Sequence, residues 1–126
     1  MRVLIADRHD QVRSALRLLL EQELSVETVG EALDIASLLA ETERCHADVL
    51  FLDWGLAAEQ PERVVAALRR RRPDLRIIAL SSRPEDRRAA ATAGIDQFVS
   101  KNAFSEELLA ALRGLDRSQR PTQHET

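Results

Sequence analysis

The sequence predicts an α/β domain in which one parallel sheet carries helices on both faces. Short apolar runs alternate with amphipathic segments five times along the 126 residues. One run, Val49-Leu50-Phe51-Leu52, is apolar throughout, as expected of a strand covered on both faces. A third observation concerns where the runs stop, because four of them end at Asp7, Asp53, Ser81 and Lys101. In open α/β sheets the C-terminal strand ends border the ligand crevice, so those four side chains are expected to meet.

Taken in order, β1 is expected over residues 2–6. Helix α1 follows from about Gln11 to Gln22, with Asp10 as N-cap and Val12, Ala15, Leu16, Leu19 and Leu20 at helical spacing. Strand β2, Ser25 to Gly30, alternates polar and apolar residues as an edge strand with one wet face would. Helix α2 runs from Asp34 to Glu43 with Ile35, Leu38 and Leu39 inward, and β3 covers 48–52. Pro61 suits the first turn of α3, which reaches about Arg71 before Pro73 stops it. Strand β4 is expected over 75–80, and α4 opens at Pro84 and ends before Gly94. Strand β5 covers Gln97 to Ser100. Ser105, followed by Glu106 and Glu107, begins α5, which ends near Leu115. Residues 116–126 are polar and aperiodic and are expected to be a disordered tail or linker after a domain spanning 1–115.

Composition narrows the classes of function. A net charge of −3 provides no global field for nucleic acid or an anionic membrane. No apolar stretch approaches the roughly 20 residues of a membrane span. Met1 leads almost directly into β1, which argues against a signal peptide. The lone Cys45 cannot form an internal disulfide, and no Cys/His group has zinc spacing. A reducing, cytoplasmic setting follows. No glycine-rich phosphate loop follows any strand, which weakens dinucleotide and nucleoside-triphosphate readings.

Lys101 is the only lysine among eighteen basic residues. Its compact ammonium differs most from a guanidinium fork where it must enter a crowded crevice. Two carboxylates, a hydroxyl and an amine in one crevice point to phosphoryl chemistry. Leu4-Ile5-Ala6-Asp7, Leu50-Phe51-Leu52-Asp53, Ile78-Ala79-Leu80-Ser81 and Phe98-Val99-Ser100-Lys101 together resemble the response-regulator receiver domain over residues 1–115. The segment Lys101-Asn102-Ala103-Phe104-Ser105 is similar to the branch that carries helix-turn-helix output domains.

The resemblance implies a flavodoxin-like doubly wound sheet of five parallel strands in the order 2-1-3-4-5. It implies that Asp53 takes a phosphoryl group from the phosphohistidine of a histidine kinase or phosphotransfer protein. Asp7, Asp53 and the backbone carbonyl of Gly55 would hold Mg²⁺, a hard ion that prefers oxygen. Lys101 and Ser81 would contact phosphoryl oxygens. Ser81 and Phe98 would switch the α4–β5–α5 face, through which a homodimer can form. Such a module is a signalling domain rather than an enzyme, apart from self-phosphorylation and autodephosphorylation. DNA would be reached only through an output domain of roughly 60 further residues, leaving a stand-alone regulator or a fragment of a longer one.

Several positions depart from the family pattern. Arg8 replaces the usual second acid after β1, a change of two charge units beside a cation site. One unit charge acting on another about 4 Å away is worth roughly 4 kcal/mol at an effective dielectric of 20. Arg8 can pair with Asp53 in the metal's place or point into solvent, and both readings stay open. The first would make a phosphorylation-independent interaction module. Ser82 replaces a common alanine, Ser81 a commoner threonine, and no Pro-Gly turn follows Asp53. A Mg²⁺-dependent phosphohydrolase is disfavoured, because the sequence offers no second nearby acid to act as general acid and no cap segment.

Other residues favour structural readings. His9 reads as an exposed loop residue, Cys45 as a structural thiol, and Trp54 as packing over the site mouth. Arg69 to Arg72 read as a solvated helix end whose cations suit the dipole.

Overall fold

The computed structural model describes residues 1–103 and 106–115. Its strands are β1 (Arg2–Ala6), β2 (Glu27–Ala32), β3 (Val49–Asp53), β4 (Arg76–Ser81) and β5 (Gln97–Ser100). Its helices are α1 (Asp10–Leu20), α2 (Ile35–Cys45), α3 (Pro61–Arg71), α4 (Asp86–Ala93) and α5 (106–115). A single helical turn, Trp54–Ala57, follows β3, and a short 3₁₀ turn, Lys101–Ala103, follows β5.

The five strands pair in parallel, as the sequence pattern predicts, in the order β2-β1-β3-β4-β5 that the resemblance implies. Strand alternation divides the core in two. Leu4, Ala6, Leu50, Leu52, Ile77 and Ala79 face α2, α3 and α4 through Leu38, Val65, Leu68, Ala90 and Ala93. Val3, Ile5, Phe51, Ile78, Leu80 and Val99 face α1 and α5 through Leu16, Leu20, Leu108 and Leu112. Residues of opposite parity on one strand thus feed opposite layers, which is why β3 has no polar residue before Asp53.

Several boundaries shift by one or two residues, and three of these differences have local reasons. Asp10 is the first residue of α1 rather than its cap. The carbonyl of His9 instead accepts from Val12 and Arg13 and starts the helix. Strand β2 lies two residues later, because the Asp7 N–H donates to the carbonyl of Ala32 and draws the edge strand up to the end of β1. Pro84 sits in the turn ahead of α4, whose first residue is Asp86. Asp34 caps α2 in a reciprocal capping box with Ser37. The expected cap at Ser105 and the tail at 116–126 lie outside the described residues.

Trp54 does not cover the site mouth. It is only 3% exposed and packs into the layer beneath α2 and α3 with Leu52, Ala57 and Val65. Ala15, which shares the helical spacing of the apolar residues of α1, is exposed. The arginine run is also more than a solvated end. Arg69 donates to the carbonyls of Leu75 and Gly94, and Arg72 donates to those of His46 and Ala47. Their guanidinium forks tie the end of α3 to the loops that start β3, β4 and β5.

Candidate functional site

The strand ends bring Asp7, Asp53, Ser81 and Lys101 to one edge of the sheet. Asp7 follows β1 directly and is fully buried, and Asp53 ends β3 and is 8% exposed. Lys101 begins the 3₁₀ turn after β5 and reaches back over β4. Its ammonium lies 3.1 Å from Asp7 Oδ2 and 2.9 Å from Asp53 Oδ1, donating to both carboxylates. This bridge holds two buried like charges together that would otherwise repel each other.

The remaining contacts set the character of each group. Asp7 Oδ1 accepts from the His9 backbone N–H at 2.9 Å and lies 3.1 Å from His9 Nδ1. Burial pushes the Asp7 carboxyl upward, but the His9 N–H and the Lys101 ammonium outweigh it and hold it below its ordinary value. Burial lowers the Lys101 ammonium, while the bonds to Asp53 and then Asp7 more than reverse that and raise it. Both groups are therefore charged at neutral pH. Asp53 Oδ2 takes no hydrogen bond from the described residues, and no fully buried side-chain oxygen or nitrogen lacks a partner among them. That oxygen faces solvent and is the one carboxylate oxygen of the Asp7–Asp53 pair left without a partner among the described residues.

Gly55 lies in the turn after Asp53, where a Cβ would come 3.2 Å from Asp53 Oδ2. A side chain there would crowd the free oxygen. Ser81 ends β4 and is buried, with Oγ 2.7 Å from Asp86 Oδ2 and accepting the Arg83 N–H at 3.0 Å. Phe98 is half-buried in β5, with the Arg87 guanidinium 4.6 Å above its ring. Ser82 is exposed beside Ser81.

Arg8 does not occupy the crevice. It is exposed and makes no hydrogen bond or ion pair with the described residues, so the pairing of Arg8 with Asp53 is not found. Lys101 stands between the acids instead. Among the described residues no group of three His, Cys, Asp or Glu side chains forms a metal cluster. Two carboxylates remain, one with a free oxygen. That donor set suits Mg²⁺, which commonly takes one or two carboxylates and keeps several waters.

Two supports went unread in the sequence. Asp86 was missed because nothing in sequence spacing shows that a residue five positions past Ser81 turns back to it. Arg13 donates to the Asp7 carbonyl at 2.7 Å and, with Arg17, to Glu31 on β2. Burial raises the Glu31 carboxyl, and the Arg17 and Arg13 bonds overcome that and lower it. An arginine stripe on α1 gives no sequence sign that its partner lies on a different strand.

A sequence model described as the response regulator receiver domain matches residues 3–113. The nitrate/nitrite response regulator protein NarP of Escherichia coli is 35% identical over 113 residues, covering 88% of this chain and 53% of that protein. Response regulator protein VraR of Staphylococcus aureus is 22% identical over 121 residues, covering 94% of this chain and 58% of VraR. The chain thus spans little more than half the length of these curated relatives. The isolated receiver domain of RcsB from Salmonella enterica serovar Typhimurium, in the presence of the phosphomimetic BeF3⁻, superposes with a TM-score of 0.81 at 30% identity. That match covers 93% of this chain and 88% of the other, and the apo form of the same domain gives 0.82. The strand order, the crevice at the strand ends and these matches agree: the chain belongs to the response-regulator receiver domain family.

Proposed function

We propose that Asp53 accepts a phosphoryl group from the phosphohistidine of a histidine kinase or phosphotransfer protein, and that the chain signals through the resulting change of surface. The bridge from Lys101 to Asp7 and Asp53 carries this reading. It aims the chain's only lysine ammonium at the acceptor carboxylate while leaving Asp53 Oδ2 open to solvent. Asp53 would attack phosphorus through that oxygen and displace the donor's imidazole. Lys101 would neutralise charge on a phosphoryl oxygen, and the Ser81 hydroxyl would hydrogen-bond another.

Mg²⁺ would be held by Asp7, Asp53 and the backbone carbonyl of Gly55. When bound, it supplies a hard positive charge that offsets the developing charge on phosphoryl oxygens. Arg8 leaves this site one acid short, so its affinity is expected to be low for the family. Switching would pass through Ser81 and Phe98 to the α4–β5–α5 face, where a second copy can dock. The relatives are longer proteins, and RcsB has been seen bound to a promoter. DNA control by the protein containing this domain would require an output domain beyond the sequence described. We assign the module to the cytoplasm, where such phosphohistidine donors act.

Intact mass after incubation with acetyl phosphate, with and without Mg²⁺, tests the reading. A Mg²⁺-dependent gain of one phosphoryl group in the wild type and none in Asp53→Asn is expected. Absence of any gain from acetyl phosphate and from phosphohistidine donors would overturn it.

A further inference from the structure

The first turn of α4 contacts both Ser81 and Phe98. Asp86, the first residue of α4, accepts the Ser81 hydroxyl hydrogen at 2.7 Å, and the Arg83 N–H donates to the same Oγ. Asp86 Oδ1 lies 4.0 Å from Arg83 Nε, while Arg83 also pairs with Glu85. One residue further along, Arg87 covers the ring of Phe98.

A serine hydroxyl has a single donor hydrogen. Its short bond goes to the Asp86 carboxylate at 2.7 Å, with the Arg83 carbonyl farther off at 3.4 Å, and a charge-assisted bond is roughly twice as strong as a neutral one. A phosphoryl group on Asp53 presents acceptor oxygens and requires that same hydrogen. The two bonds exclude one another. We propose that Asp86 is a positioning residue that holds Ser81 in the unphosphorylated conformation and competes with a phosphoryl group for its hydroxyl. Capture of Ser81 by the phosphoryl group then frees the first turn of α4. This inference rests on the phosphoacceptor reading of Asp53, and it explains how a change at Asp53 would reach α4.

Trp54, the only tryptophan, adjoins Asp53 and provides the signal. Its fluorescence is titrated with fluoroberyllate, a phosphoryl mimic, at saturating Mg²⁺. Asp86→Ala is expected to bind roughly tenfold tighter than wild type, as fits loss of one hydrogen bond to a charged group. Asp86→Asn, which keeps an acceptor without charge, is expected to fall between. In a Ser81→Ala background, Asp86→Ala is expected to change nothing. Equal affinity of Asp86→Ala and wild type, or a gain that survives Ser81→Ala, would overturn the competition while leaving Asp53 as acceptor. No binding by any form would instead overturn the acceptor reading and the competition with it. Amide hydrogen exchange without any mimic gives a separate readout. Exchange at Arg83 is expected to accelerate in Asp86→Ala, and unchanged protection there would overturn the clasp itself.

Discussion

Lys101 and Asp53 meet across a strand that belongs to neither of them. Asp53 ends β3, Lys101 follows β5, and β4 lies between, yet Nζ and Oδ1 are 2.9 Å apart. Two strand spacings are roughly 9–10 Å, a gap that a four-carbon side chain and an aspartate close together. The ammonium then fits between Asp7 and Asp53, where a planar guanidinium would need more room.

Removing the ammonium should destabilise the fold. Lys101→Met leaves Asp7 and Asp53 facing each other with Asp7 fully buried. Breaking a buried pair costs about 3–5 kcal/mol, and the partial exposure of Lys101 reduces this to roughly 2–4 kcal/mol. Urea denaturation at neutral pH measures it. A loss under about 0.5 kcal/mol, the range of an ordinary surface change, would mean that the bridge contributes little.

The same bridge gives the stability difference between wild type and Lys101→Met a defined pH profile. The Asp7 carboxyl is lowered in the fold, so its contribution is present above the unfolded value of about 3.9 and fades as pH falls through the lower folded value. The Lys101 ammonium is raised, so its contribution is complete below about 10.4 and fades as pH rises through the higher folded value. The difference in denaturation midpoint should therefore form a plateau across neutral pH and shrink at both extremes. A steady slope through pH 6–8 would point to a different titrating group.

Arg8→Asp should strengthen Mg²⁺ binding markedly, read by calorimetric titration. The side chain is exposed and unpartnered among the described residues, so the exchange should alter stability by no more than about 0.5 kcal/mol. Unchanged Mg²⁺ affinity would show that position 8 does not face the metal.

Lys101→Arg keeps the charge and should still impair phosphoryl-dependent switching. The guanidinium fork cannot occupy the narrow position between Asp7 Oδ2 and Asp53 Oδ1 in the same way. Full fluoroberyllate response in this variant would show that charge alone suffices.

Trp54→Ala should cost about 3–5 kcal/mol of stability, the range for a large buried aromatic. A tryptophan lying over an open site would cost far less. Thermal or chemical denaturation separates the two.

The sequence by itself determined the sheet and the identity of the four crevice residues. Parallel strands demand continuous apolar runs, and such runs at β1, β3 and β4 are visible without coordinates because burial on both faces admits no polar residue. The positions of Asp7, Asp53, Ser81 and Lys101 follow from where those runs stop, since the chain must leave the core there. Edge strand β2 was less legible: its register depends on a hydrogen bond from Asp7 to Ala32, and its half-wet residues carry little pattern. Only the tertiary structure decided what each crevice residue touches. Lys101 rather than Arg8 bridges the acids because reach across β4 depends on strand spacing and side-chain direction. Ser81 is tied to Asp86 because the turn before α4 folds back on the strand end. Trp54 enters the core because the helical turn after Asp53 rotates it beneath α2 and α3. Local pattern reports which groups leave water, whereas pairing among polar groups depends on distances that only the assembled sheet and helices set.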